Sequence, residues 1–129
     1  MRYEEFIAEV RRLGEYDSAQ RAEEVADRVL AVLGARLSGG EARDLASQLP
    51  GTLQDSLQAA DERVPALSSE DFIAEVATRL EGASTETARW DASAVLTAVA
   101  SAIDGGQLNH VISQLPTGYA PLFGHPELA

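Results

Sequence analysis

The residues of this chain that could do chemistry are few: two histidines, matched glutamates and glutamines, one tryptophan and a recurring double glycine. A transition-metal site needs several His, Cys, Asp or Glu side chains converging at set spacings. His110 stands in a polar stretch with no second imidazole nearby, and His125 sits near the C-terminal end, so both read as surface side chains. Glu9 and Glu75 occupy corresponding positions, and paired carboxylates can exchange protons or hold two metal ions. Helical di-metal sites, however, add a His three residues after each Glu. Arg12 and Thr78 stand there instead. Glu5 and Glu9, four residues apart, share one helix face and read as solvated. The chain has no cysteine, which removes thiolate ligands, a Cys nucleophile and disulfides together. No catalytic, cofactor-binding or metal-binding residue is expected.

The double glycines invite a phosphate-loop reading and do not sustain it. A Walker loop ends in Lys and Ser or Thr, and the chain contains no Lys; all ten basic residues are Arg. Ser38-Gly39-Gly40-Glu41 and Asp104-Gly105-Gly106-Gln107 instead fit a capping box. The Ser or Asp oxygen accepts from a free backbone N–H, and the Glu or Gln reaches back to the cap residue's own N–H.

Four residues remain as candidate contacts for a partner. Gln48 and Gln114 stand in matched Gln-Leu-Pro turns, where an amide side chain can satisfy freed backbone groups or serve as a recognition patch. Trp90 is the single tryptophan, on a polar stretch of a long helix. Large aromatics anchor interfaces, and the same ring could instead fill an internal seam. Tyr119 belongs to the aromatic end Tyr119-Ala120-Pro121-Leu122-Phe123, where Tyr119, Leu122 and Phe123 are expected to anchor the last element.

The elements that must position these residues are helices, and they come twice. Phe6-Ile7-Ala8-Glu9-Val10 recurs as Phe72-Ile73-Ala74-Glu75-Val76, Gly39-Gly40 as Gly105-Gly106, and Ser47-Gln48-Leu49-Pro50 as Ser113-Gln114-Leu115-Pro116, all at an offset of 66 residues. About a third of the aligned pairs from Glu4 to Leu57 are identical. Phe6, Ile7, Val10 and Leu13 have helical spacing and predict a helix from Tyr3 to Leu13. Ser68 caps its counterpart, with Leu67 packing on Phe72 as a staple. Ala22, Val25, Ala26, Val29, Leu30, Leu33 and Leu37 predict a long helix over 18–37. Its counterpart carries Ala88, Ala92, Val95, Leu96, Val99 and Ile103. A short third helix is expected over 40–48 and 106–114. Leu49 and Leu115 then leave helical backbone because Pro follows, and Pro50 and Pro116 are expected to open a fourth element. That element runs over 52–60 in the first copy and is interrupted by Pro121 in the second. The expected architecture is all-α: two tandem, pseudo-equivalent units of about four helices, 1–66 and 67–129, packed as one cooperative body. Asp61 to Leu67 is the linker between them, and 124–129 a loose tail.

This pattern of a Phe-Ile-x-x-Val helix, a long Ala/Leu helix, a Gly-Gly-Glu cap and a Gln-Leu-Pro turn, given twice, resembles the bacterial "domain of unknown function 2267" family. The likeness spans about Arg2 to Gly124; the double Gln-Leu-Pro is its most specific feature. It implies a small helical protein without an established activity, and no catalytic residue to transfer.

Charge narrows the partners. The net charge is −11, shared by both halves, and such a field repels phosphate backbones and anionic membranes. The Arg-only usage with abundant Ala matches the coding bias of a GC-rich bacterial genome. No stretch approaches the ~20 apolar residues of a membrane span, and the N-terminus does not read as a signal peptide. A cytoplasmic, non-enzymatic interaction or adaptor module with an unidentified protein partner is the expected function. The alternative is a small-ligand binder or enzyme using the cleft between the copies. Thermal melts recorded with and without a chelator should coincide; a fall of several degrees on chelation, restored by a defined divalent ion, would contradict this reading.

Overall fold

The computed structural model describes residues 1–37, 39–59 and 68–124, and within them all regular structure is helical. The elements are α1 (Tyr3–Gly14), α2 (Ala19–Arg36), α3 (Gly39–Ala46), α4 (Leu53–Gln58), α5 (Ser69–Arg79), α6 (Thr85–Ala102), α7 (Gly105–Ser113) and a 3₁₀ turn (Ala120–Phe123). The Ser38 cap, the Leu67 staple, the 61–67 linker, residues 125–129 of the tail and His125 lie outside the described residues. No helix among the described residues is long and apolar enough to cross a membrane.

Local chemistry sets the helix ends. The Ser18, Ser68 and Ser84 hydroxyls accept from the N–H groups of Arg21, Asp71 and Thr87, and Asp104 Oδ1 accepts from Gln107 N at 2.7 Å. Each bond satisfies one of the donors left unpaired in a first helical turn. Helix α1 begins instead on its backbone, the Arg2 N–H donating to Glu5 Oε1 at 2.9 Å. It ends at Glu15 in the left-handed region (φ 56°), and Glu81 just beyond α5 adopts the same conformation (φ 60°). Pro50 departs from expectation. It lies before the turn at Gly51 and Thr52, so α4 starts three residues later with Leu53 N–H bonded to the Pro50 carbonyl.

The capping box at Asp104 is only half as expected. The Asp104 carboxylate caps the helix, but Gln107 does not reach back. Its Oε1 accepts from Gln48 Nε2 at 3.2 Å, and the Asp104 N–H is approached by Gln48 Oε1 at 3.5 Å. A side chain distant in sequence has taken the place of the local one, because α3 packs beside α7 and brings Gln48 within reach.

The long helices α2 and α6 pack on each other at the centre. Helix α1 lies against both α2 and α6, and α5 against both α6 and α2. Helix α4 covers α2, the 3₁₀ turn covers α6, and α3 bridges α4 and α7. Phe6, Val10, Val25, Val29, Leu30 and Leu33 from the N-terminal helices share one continuous core with Phe72, Val76, Val95, Leu96 and Phe123. Full burial of such side chains stabilises by roughly 1.5–3 kcal/mol each, and here that burial is shared between each segment's own helices and, chiefly through α1 on α6, those of the other.

Small residues let the layers approach closely. Gly34 of α2 lies directly under the Leu57 carbonyl of α4, where a methyl group would overlap that oxygen. Gly34→Ala should therefore push α4 outward and cost about 1–3 kcal/mol as overpacking does. Urea unfolding of this variant checks it; unchanged stability would show that α4 yields freely.

Candidate functional site

The residues with the most unusual environment gather where the end of α1 meets the first turns of α6. Helix α1 terminates at Gly14, leaving carbonyl groups without helical donors. Trp90 Nε1–H donates to the Gly14 carbonyl at 2.9 Å. Next to it, the Tyr16 hydroxyl donates to Asp91 Oδ1 at 2.5 Å. The Tyr16 ring folds over Gly14 so closely that any side chain there would collide with it. Asp91 is 2% exposed, and its Oδ2 has no hydrogen-bond partner among the described residues. A buried carboxylate is costly unless its oxygens are satisfied, so the Tyr16 donor is the interaction that keeps Asp91 tolerable there.

A comparable tie joins the other pair. Arg28 of α2 donates to the Arg79 carbonyl at the end of α5, at 2.7 Å. Each short first helix thus has a terminal carbonyl held by a side chain from the other segment's long helix.

The four candidate contact residues have separate fates. Trp90 is 50% exposed and lines an open groove of about 480 Å³ with Thr85, Glu86, Arg89 and Ser93. Its indole N–H is fixed by Gly14, which sets the orientation of the ring. Gln48 is half-buried and spent on Gln107 and Asp104, so it belongs to the packing of α3 on α7. Gln114 is exposed at the C-cap of α7. Tyr119 is fully buried, its ring centroid 5.2 Å from that of Phe72 and its hydroxyl 3.3 Å from the Ser68 carbonyl. It offers no face to a partner and is corrected here from a candidate contact to a core residue, while Leu122 and Phe123 are buried beside it as anchors of the last element. The structure does not bring the four into one site.

His110 is on the surface, its Nε2 2.9 Å from Glu41 Oε1 across the α3–α7 contact. Glu9 is paired with Arg12 on one face of α1. Among the described residues, no three His, Asp or Glu side chains are grouped to hold a metal ion. Each of the three described grooves draws its lining from one segment only: two from residues 3–59 and one from residues 85–93.

A family model described as an uncharacterized conserved protein, DUF2267, matches residues 3–122. The chain belongs to the DUF2267 family. No curated protein matches it. The family match takes in all seven helices described above and ends within the 3₁₀ turn, so the Tyr16–Asp91 and Trp90–Gly14 contacts of this DUF2267 protein both lie inside the family region.

Tyr16 and Asp91 were not among the residues singled out from the sequence, yet a signal existed. At the 66-residue offset Asp91 corresponds to Val25, and Tyr16 to Gly82. A carboxylate in an apolar stripe position calls for a donor, and only the packing of α1 on α6 reveals which one.

Burial, then the hydrogen bond and charge of Asp91, push the Tyr16 hydroxyl well above the usual phenol range. Burial foremost, with Asp71 adding to it and Arg36 opposing it, pushes Tyr119 up to about 12. Both groups keep their protons in the folded protein at pH values where the unfolded chain, with a phenol pKa of about 10, loses them. Their contribution is complete below about pH 10 and is lost as pH rises through the folded values. Stability should thus fall on the alkaline side, and Tyr16→Phe should remove part of that fall. At neutral pH the same variant should cost about 1–3 kcal/mol by leaving Asp91 without its donor, and adding Asp91→Val should recover much of the loss. Urea unfolding across about pH 7–11 reads both effects; equal pH dependence in wild type and variant would contradict the assignment.

Proposed function

We propose that this protein is a non-enzymatic interaction module, built from two copies of one helical unit, that presents the outer face of Trp90 to a protein partner. The single observation that carries this reading is the state of Trp90. It is a large aromatic held by its N–H at the end of α1, with half of its surface left outside. An indole fixed before binding loses little freedom on contact, and aromatic rings of this kind dominate interface energies. The position distinguishes the two copies, because the first carries Glu24 there. Copies that share an ancestor keep common residues for packing and capping. A residue present in one copy only is the better candidate for a gained contact.

The duplicated origin is supported by the helix starts: Tyr3, Ala19 and Gly39 are each followed 66 residues later by Ser69, Thr85 and Gly105. The left-handed Glu15 and Glu81 also fall in register. The core runs unbroken between 1–59 and 68–124, which favours one cooperative body over two independent ones and gives little support to a ligand cleft between copies. Location in the cytoplasm is part of the same proposal; it is compatible with a chain in which no helix among the described residues is long and apolar enough to cross a membrane.

The lone tryptophan reports on its own surroundings. Its fluorescence in the free protein should be open to acrylamide quenching and become protected when a partner binds. Trp90→Ala should abolish recovery of a specific partner by the tagged full-length chain while changing stability modestly. If the variant instead loses about 3–5 kcal/mol, as large core truncations do, and still recovers the same partner, Trp90 is part of the scaffold and this reading fails.

A further inference from the structure

A second surface carries an argument independent of Trp90. A groove of about 500 Å³ runs between α1 and the start of α2, floored by Ile7, Ala8, Tyr16 and Ala19. It adjoins a groove of about 350 Å³ between α2 and α4, and the two share Tyr3 and Glu23 as a common wall. The two meet at the hydrogen bond from the Tyr3 hydroxyl to Glu23 Oε2 (2.8 Å), and make up a trough lined by the apolar floor along α1 and by the carboxylates Glu4, Glu15, Glu23, Asp27 and Asp55.

The two cations bordering the trough are already engaged. Arg11 donates to the Tyr16 and Asp17 carbonyls, and Arg12 forms a two-pronged pair with Glu9. With five carboxylates against these two arginines, what the trough presents to an incoming molecule is apolar surface and net negative charge, within a chain of net charge −11. The feature belongs to one half only. At the 66-residue offset, Glu23 and Asp27 are replaced by Arg89 and Ser93, which line the Trp90 groove.

We propose that this trough is a docking site for a basic amphipathic segment of a protein partner. An apolar helix stripe would lie on Ile7, Ala8 and Ala19, and flanking Lys or Arg side chains would meet Glu15, Glu23 and Asp55. Helix-in-groove recognition works in this way: apolar side chains at helical spacing supply the area, and complementary charge sets orientation and association rate. Bare attraction between an acidic protein and a cation would not need the floor, and that difference is what the experiment must read.

The probe is a synthetic leucine–lysine peptide of about 14 residues, four helical turns, with leucines at helical spacing. Its control is a peptide of the same composition in scrambled order. Titrated into the full-length protein, the amphipathic peptide should bind at least about tenfold more tightly than the scramble. Amide shifts should centre on Ala8, Tyr16, Ala19 and Asp55. Ala8→Arg, an exposed change in mid-helix, should weaken binding about tenfold, whereas Asn109→Arg, the same charge change on α7, should alter it less than about twofold. Equal affinity for the two peptides, shifts centred elsewhere, or equal effects of the two variants would overturn the proposal. Circular dichroism of both variants confirms that each is folded before the affinities are compared.

Discussion

Helix α1 buries its apolar face against two long helices at once, its own neighbour α2 and the distant α6. Everything else in the molecule follows from that placement. A short amphipathic helix gains little stability alone, and Phe6, Ile7 and Val10 are all buried where α1 packs on α2 and α6. Helix α5 faces the same constraint with Phe72, Ile73 and Val76, and meets it by packing on α6 and α2. Each first helix thus crosses to the other long helix, and the core becomes continuous.

Crossing brings polar obligations. The C-terminal carbonyls of α1 and α5 come to lie against helices that must offer donors, and Trp90 and Arg28 supply them. Asp91 and Tyr16 are the most exacting case, a carboxylate and a phenol held together inside an apolar contact. Such a pair contributes little net stability compared with an apolar pair of the same shape, but either partner alone would be strongly destabilising. Its physical effect is to specify one register of α1 on α6, since a shift of a single turn would leave Asp91 buried without a donor. Gln48, Gln107 and Asp104 act similarly where α3 meets α7.

The surface left over is asymmetric. Arginines near α1 and α2 are turned onto their own chain, Arg11 and Arg28 onto carbonyls and Arg12 and Arg21 onto glutamates. On the other half, Trp90 lies among Thr85, Arg89 and Ser93. The 1–59 and 68–124 segments thus present different chemistry to their surroundings.

The sequence by itself determined the helices and most of their ends. Apolar spacing reports which face each helix must bury, and Ser18, Ser68, Ser84 and Asp104 cap locally, so both are readable within a few residues. The 66-residue repeat and the family resemblance were legible for the same reason, since they are written in the order of residues. The tertiary structure alone decided which helix covers which face. That choice spent Gln48 on a distant cap, drew Tyr119 into the core beside Phe72, left Trp90 half outside, and paired Tyr16 with Asp91 across 75 residues. Exposure and partnership are properties of packed surfaces: Trp90 and Tyr119 are both large aromatics with a polar group to satisfy, and only the position of α1 against α6, and of the 3₁₀ turn against α6, makes one a surface residue and the other a buried one.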